Sequence, residues 1–329
     1  METLKKFSNL LAQQTSLFVI AVAVLAYFCP SLFSWVKGYY SLAIIAIIMF
    51  SMGLTITTEN FKILMSRPLD IFIGAVAQYT IMPCLAWTIA KSFNLPNDIA
   101  VGLILVGCAP GGVSSNIMSF LCHGDVPFSV GMTTASTLLA PVMTPILMLL
   151  LAGERVDVPA AGMFLSILET VLVPVALGFF LNRFYGRTKT FKDVQQVMPS
   201  VAVIGLALIV GGVTSLQGKN FFTAGVVVFL AVFCHNSVGY VLGYLVGRFF
   251  GMSTAKKRTL SIEVGMQNAG LATGLASVHL AMYPHAALAA AVSCVWHSIS
   301  GTLLANFFAR VDLRREKAAA GEGAQAAAD

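Results

Sequence analysis

Charge is what this sequence is short of. Of 329 residues only 10% are Asp, Glu, Lys or Arg, against about 25% in soluble domains. A folded surface with so few charges cannot keep the chain in water. That excludes a soluble enzyme, a nucleic-acid-binding module and a disordered chain. Long polar stretches are scarce too. The longest, from about Asp312 to Asp329, is Ala/Gly-rich and of low complexity, so no soluble second domain is expected. Six scattered cysteines, Cys29, Cys84, Cys108, Cys122, Cys234 and Cys294, form no CxxC pair. They read as small buried apolar residues rather than as a disulfide frame or a zinc site. HExxH, P-loop and GxSxG patterns are missing as well, so no enzyme is expected. Lys5 and Lys6 precede an apolar run, but the run has no small-residue cleavage site and leads into further runs, which argues against a signal peptide.

What is abundant is apolar sequence: 57% of the residues are hydrophobic and the mean hydropathy is +0.84. A spanning helix needs about 20 mostly apolar residues. Breaks at charges, Pro and Gly give ten such runs, at 14–34, 39–57, 69–90, 98–122, 126–152, 161–182, 198–216, 221–247, 259–282 and 285–309. The loops test that count. With the N-terminus placed inside, sixteen of the twenty Lys and Arg fall on the inner side. Only Lys37, Lys91, Arg155 and Lys219 fall outside. Such a bias predicts ten spans with both termini cytoplasmic. It also explains the net charge of +6 without a nucleic acid, because the basic residues sit in short loops. The expected layout is a short cytoplasmic segment (1–13), a ten-helix body (14–309) and a disordered cytoplasmic tail (310–329).

Two runs make poor helices. The fourth contains Pro110-Gly111-Gly112 followed by Val113-Ser114-Ser115-Asn116, and the ninth contains Glu263-Val264-Gly265-Met266-Gln267-Asn268-Ala269-Gly270. Each is the fourth run of its half, the halves being about 14–152 and 161–309. Five helices per half make the halves point in opposite directions. Gly/Pro-interrupted segments at matching positions point to a transporter site between inverted repeats. Unwinding in lipid frees backbone groups that cost several kcal/mol each if unpaired, so a break survives where it lines a cavity or binds something. A simple kink or loop at Pro110 is the plainer alternative.

Glu263 is the sharpest single signal, because an acid inside an apolar span is a functional residue by default. Around it, the Gln267 and Asn268 amides and the carbonyls of a broken backbone offer oxygens, which suit a hard cation. Ser115, Asn116, Ser129 and Thr133 form a second polar set. Ser129 and Thr133 share one helix face, although hydroxyls at that spacing also serve as plain helix–helix contacts. Gln78 is a lone amide in the third run, and His297-Ser298 and His235-Asn236 are polar pairs in the tenth and eighth. Glu169, in the sixth run, either reaches the outer interface or lines the cavity.

The stretch Gly107-Cys108-Ala109-Pro110-Gly111-Gly112-Val113-Ser114-Ser115-Asn116, together with Glu263 to Ala272, resembles the bile acid:sodium symporter family over about residues 10–310. The resemblance implies an all-α polytopic membrane protein of ten transmembrane helices in two inverted five-helix repeats. A core domain would hold two crossing broken helices, and a panel domain would hold runs one, two, six and seven. It implies two sodium sites. The first would use Ser115, Asn116, Ser129, Thr133 and Glu263. The second would use Gln78, Glu263 and Gln267 with the carbonyls of Val264 and Met266. The anion would sit near Val113, Asn268, His297 and Ser298. Val113 and Ser298 depart from the Thr and Asn of similar bacterial sequences, which leaves the sodium set intact but the substrate open between pantoate-like acids and bile acid-like steroids. The implied function is sodium-coupled import of a small organic anion by alternating access, by a monomer in the bacterial inner membrane. Proton-coupled or passive carriage on the same fold is the alternative.

Overall fold

The computed structural model describes residues 2–112, 114–218 and 220–326. Val113, expected at the anion site, and Lys219, one of the four outer basic residues, lie outside the described residues. Helices supply the regular structure. The one β-type contact among the described residues is an isolated antiparallel bridge between Gly111 and Gln267.

In chain order, α1 (Glu2–Gln13), α2 (Thr15–Phe28), α3 (Tyr39–Gly53), α4 (Thr58–Ser66) and α5 (Pro68–Ser92) come first. The interrupted pair α6 (Asn97–Cys108) and α7 (Ser114–Leu121) follows, then α8 (Val126–Ala152). Next are α9 (Ala160–Ile167) and α10 (Val173–Tyr185), fused by a π turn at Leu168–Leu172, and α11 (Lys189–Gln195). The chain closes with α12 (Met198–Gln217), α13 (Asn220–Phe249), a second interrupted pair, α14 (Thr254–Gly265) and α15 (Ala269–His279), and α16 (Pro284–Ala326). Local chemistry fixes many of the starts. Proline stands in the first turn of α5, α8 and α12, where its missing N–H and fixed φ are harmless. Side-chain oxygens of Asp125 and Ser253 accept from Phe128 N (3.1 Å) and Lys256 N (3.3 Å), capping α8 and α14.

Each expected run contains helix. Six stretches are long and apolar enough to cross a bilayer: Pro68–Ser92, Val126–Ala152, Ala160–Tyr185, Lys189–Gln217, Gly225–Phe249 and Pro284–Asp312. Thr15–Phe28, Tyr39–Gly53 and Asn97–Cys108 are shorter apolar helices. Large apolar side chains such as Leu17, Phe72, Leu150, Phe184, Val226, Leu245 and Phe307 point outward and stay exposed. In water that exterior would be prohibitive, whereas in acyl chains it is the matching surface. The helical backbone of α16 continues to Ala326, through most of the segment read as a tail.

Packing separates two groups of helices. In one, α12 lies against α2 and α3, and α3 against α10 and the π turn. In the other, α5 packs on α6, α8 and α13, while α13 packs on α14 and α16 on α6 and α15. At its centre α6 is buried on every face from Ile99 to Cys108. Ion pairs staple one end of this second group: Arg67 with Asp125, Lys256 with Asp70 and Arg258 with Asp312, each at 2.5 Å. Arg258 also donates to Cys122 O at 2.9 Å, joining the end of α7 to α14 and α16.

Three of the cysteines, Cys108, Cys122 and Cys294, are buried as expected. Cys29, just past the end of α2, and Cys84, on α5, are exposed instead. Glu169 sits in the π turn and is exposed, and it is not among the residues lining the central cavity.

Candidate functional site

The two interruptions meet. Ala109 and Met266 leave their helices in extended conformations, and the broken segments run antiparallel. Gly112 N donates to Met266 O at 2.9 Å, and Asn268 N donates to Pro110 O at 2.7 Å. Each break therefore satisfies part of the other's freed backbone, which is how irregular chain persists at this depth. Side chains from neighbouring helices take further groups. Thr144 of α8 donates to Cys108 O (2.7 Å) at the end of α6. Asn236 of α13 donates to Gly265 O (2.7 Å) at the end of α14. Gly112 must lack a side chain here, because a Cβ would stand 2.9 Å from Gln267 O.

Glu263 lies in the last turn of α14, fully buried, beside this crossover. Ser115 Oγ donates to its Oε1 at 2.6 Å, Ser129 Oγ also donates to Oε1, and Thr133 Oγ1 donates to Oε2 at 2.9 Å. Asn116 Oδ1 lies 2.9 Å from Ser129 Oγ and 3.5 Å from Thr133 Oγ1, whose single hydrogens face the carboxylate. Thus Ser115 and Asn116 from α7, Ser129 and Thr133 from α8, and Glu263 from α14 form one cluster, the grouping that the family resemblance implies. Ser115, Ser129, Thr133 and Glu263 are all at most 1% exposed.

A second set adjoins it. Gln78 Nε2 of α5 donates to Gln267 Oε1 at 3.1 Å, and Gln267 Nε2 donates to Val264 O at 2.7 Å. Met266 O accepts from Gly112 N. Gln78 Oε1 is buried without a hydrogen-bond partner. The expected second group, Gln78, Glu263, Val264, Met266 and Gln267, is thereby brought together, with an amide N–H2 rather than an amide oxygen turned to Val264 O.

A cavity of about 400 Å³ opens beside the crossover. Asn268, His297 and Ser298, expected to meet the anion, line it together, and Asn116, Thr133 and Gln267 reach it from the polar cluster. Its far wall is apolar: Ile45, Met49 and Met52 of α3, and Ala202, Val203 and Leu206 of α12. The starts of both second half-helices, Ser114 of α7 and Ala269-Gly270 of α15, face it as well. Helix N-termini carry unsatisfied N–H groups and the positive end of the dipole, so both favour an anion there. Asn268 has a double position. Its Oδ1 accepts from Leu271 N at 3.1 Å as the cap of α15, and its N–H2 meets Met49 Sδ of the cavity wall at 4.0 Å. His297 Nδ1 bonds Gln267 O at 3.2 Å. A carbonyl only accepts, so Nδ1 carries a hydrogen, while Nε2 is buried without a hydrogen-bond partner.

Sequence reasoning missed Ser136, Tyr79 and Thr144. Ser136 Oγ accepts from Gly111 N at 3.1 Å and donates to Thr133 O at 3.1 Å, and Tyr79 Oη donates to Ser136 O at 2.7 Å. The signal was present, since Ser129, Thr133 and Ser136 are spaced i, i+4, i+7 along one helix face.

A sequence profile of the Sodium Bile acid symporter family matches residues 42–224. YocS of Bacillus subtilis (strain 168), described as a sodium-dependent transporter, is 42% identical over 310 residues, covering 94% of this chain and 95% of its own. The chain belongs to the sodium bile acid symporter family. "Probable sodium/metabolite cotransporter BASS1, chloroplastic" of Arabidopsis thaliana is 41% identical over 281 residues, 85% of this chain and 69% of its own. Its rice counterpart is 38% identical over 290 residues, 88% and 71%. As a member of this family, the chain is a multi-pass membrane transporter of a sodium-dependent kind and not an enzyme.

Proposed function

We propose that this transporter couples sodium to the inward movement of a small organic anion by alternating access. The observation that carries the reading is Glu263. It is a buried carboxylate ringed by three hydroxyls and an amide oxygen, at a backbone crossover whose other side opens on the cavity. Carboxylate, hydroxyl, amide and carbonyl oxygens suit a hard cation. A buried carboxylate with only hydroxyl partners is also costly unless a positive charge joins it.

Two sodium sites follow. Ser115, Asn116, Ser129, Thr133 and Glu263 would hold one ion. Gln78, Glu263 and Gln267, with Val264 O and Met266 O, would hold the other. The orphaned Gln78 Oε1 and the carbonyl at Val264 fit such an ion. Turning the Gln267 amide end for end presents its oxygen beside Val264 O, a pairing that only a cation stabilises. Both ions pull on the broken segments that lead into α7 and α15, whose N-termini face the cavity, so binding them orders the anion site. Asn268, His297, Ser298 and Val113 would then contact the anion, against the apolar wall from α3 and α12. A polar floor under an apolar wall suits an amphipathic carboxylate, pantoate-like or bile acid-like.

Ten crossings in two inverted five-helix repeats give both interruptions the same place in each half. The group α2, α3, α9–α10 and α12 would be the panel, the group around α6 and α14 the core, and rocking between them the transport step. With both termini cytoplasmic, the ends of α2, α3 and α12 that line the cavity, at Thr15, Ile56 and Met198, are inner ends. The conformation is then inward-facing, in a monomer in the cell membrane. Two Na⁺ with one monovalent anion carry net +1 inward, gaining about 2.3 kcal/mol per 100 mV.

The test is uptake of pantoate and taurocholate into proteoliposomes with an inward sodium gradient, against potassium. Accumulation in sodium alone, increased by an inside-negative potential, is expected. Accumulation driven instead by a pH gradient in sodium-free buffer would replace sodium with the proton, and equal uptake in both salts would make the protein a passive carrier.

A further inference from the structure

The space over Gly111 is surrounded by polar atoms from three helices. The position a Cβ would take on this residue lies 3.2 Å from Glu263 Oε2 of α14, 3.4 Å from Ser136 Oγ of α8 and 3.6 Å from the Gln78 amide nitrogen of α5. All three side chains are fully buried, at 0% exposure. Their remaining valences are unequal to their burial. Ser136 Oγ spends its hydrogen on Thr133 O and one lone pair on Gly111 N, which leaves a second lone pair. Glu263 Oε2 takes one hydroxyl, from Thr133, although a carboxylate oxygen accepts two. Gln78 gives its N–H2 to Gln267 and keeps an unpartnered oxygen. A buried acceptor without a donor costs about 1–3 kcal/mol, and Gln78 Oε1 is one; with a carboxylate oxygen and a hydroxyl oxygen that each keep an unused lone pair beside the same small space, the set calls for a positive occupant.

We propose that Ser136 is a further sodium ligand, and that Glu263 Oε2, Ser136 Oγ and the Gln78 amide oxygen form one wall of the second cation site, with Gly111 kept bare to leave room for the ion. This rests on the sodium-coupled reading above and adds a residue that determines affinity and ion choice. The rearrangement needed is small. When Gln78 turns its amide end for end, Oε1 takes the place of Nε2 facing Gly111. Gln267, turning likewise, keeps the bond between the two amides with donor and acceptor exchanged and turns its own oxygen to Val264 O. Ser136 is well held for the task, since its backbone carbonyl takes the Tyr79 hydroxyl at 2.7 Å and its hydroxyl is tied at both Gly111 N and Thr133 O. A fixed hydroxyl sets the size of an ion site more strictly than a mobile amide does.

The experiment uses full-length protein with sodium and lithium as the probes. It measures the sodium concentration for half-maximal thermal stabilisation and half-maximal uptake, the lithium-to-sodium ratio of those values, and the substrate KM at saturating sodium. Ser136→Ala is expected to raise half-saturating sodium at least fivefold and to change the lithium-to-sodium ratio, with KM within twofold of wild type. Ser136→Thr, which keeps the hydroxyl, should restore wild-type values. Gly111→Ala, which places a methyl group in the space, should lose most of the sodium response. A Ser136→Ala variant that melts earlier without sodium but keeps the wild-type sodium curve and ion ratio would give Ser136 a packing role only and overturn the proposal. If wild type responds to sodium and Ser136→Ala does so equally, this inference fails and the sodium-coupled reading stands. If wild type itself shows no sodium response, both fail.

Discussion

At the scale of single residues, two positions separate the duties of the site. Glu263 is the one charged group among the hydroxyls of Ser115, Ser129 and Thr133. Replacing it with Gln keeps the shape and removes the charge that an ion would meet. Losing one partner of a buried charge pair costs about 3–5 kcal/mol. Sodium affinity in Glu263→Gln should therefore fall by more than about a hundredfold, read from the sodium dependence of uptake in membranes with equal protein content. Asn268 serves backbone and cavity together, since its oxygen caps α15 while the residue lines the cavity with its nitrogen against Met49 Sδ. Asn268→Ser keeps a good cap and loses the amide donor. That variant should melt within a few degrees of wild type and show a substrate KM raised about tenfold. Asn268→Ala removes both, costs about 1 kcal/mol of helix stability and should lower the melting temperature as well. Equal melting of the two variants would contradict the cap.

At the scale of elements, the crossover is the unit that matters. It is held by the pairs Gly112 N to Met266 O and Asn268 N to Pro110 O, and Gly112 has no room for a side chain. Gly112→Val should part the two segments, abolish uptake and leave the protein inserted, because none of the long apolar helices is touched. Uptake near wild type in that variant would show that the close approach is dispensable. Asn236, flagged from sequence only as part of a polar pair, closes the end of α14 through Gly265 O. Asn236→Leu leaves that carbonyl buried without this donor, at a cost of about 1–3 kcal/mol, and should lower the melting temperature by several degrees. These elements differ in how legible they were. The interruptions at Pro110-Gly111-Gly112 and Glu263–Gly270 are composition breaks in apolar runs, so sequence alone located them. The bridge from Gly111 to Gln267 is a contact between residues 156 positions apart in number, and no local pattern carries it. Ser136 shares the helix face of Ser129 and Thr133, but its residue type gave it no separate weight. A serine in a long helix ordinarily bonds back to its own turn, as this one does to Thr133 O, and only the arrival of Gly111 N gives it a second task. The π turn that carries Glu169 was equally unreadable, because Leu168–Leu172 continues an ordinary apolar helix pattern.

At the scale of the whole molecule, scarcity of charge and abundance of apolar runs pointed to a membrane protein before any motif was read. The grouping of helices came only through the family resemblance, which names runs one, two, six and seven; composition could not supply it, since α2, α3, α10 and α12 are as apolar as the helices that surround α6. The account requires the Thr15, Ile56 and Met198 end of the cavity to face the cytoplasm. Single cysteines placed on a background without the six native ones test this in sealed vesicles. Lys189→Cys and Ala202→Cys should react with a membrane-impermeant thiol reagent from the inner side, and Lys37→Cys from the outer side alone. Sodium with substrate should slow the labelling of Ala202→Cys severalfold. Labelling of Lys189→Cys from outside would invert the topology. The most direct measurement is equilibrium binding of radioactive sodium to the purified protein, wild type beside Glu263→Gln. The account predicts saturable binding by wild type, strengthened by substrate, and none above background in the variant at the same concentrations. Unchanged sodium binding in Glu263→Gln would contradict it.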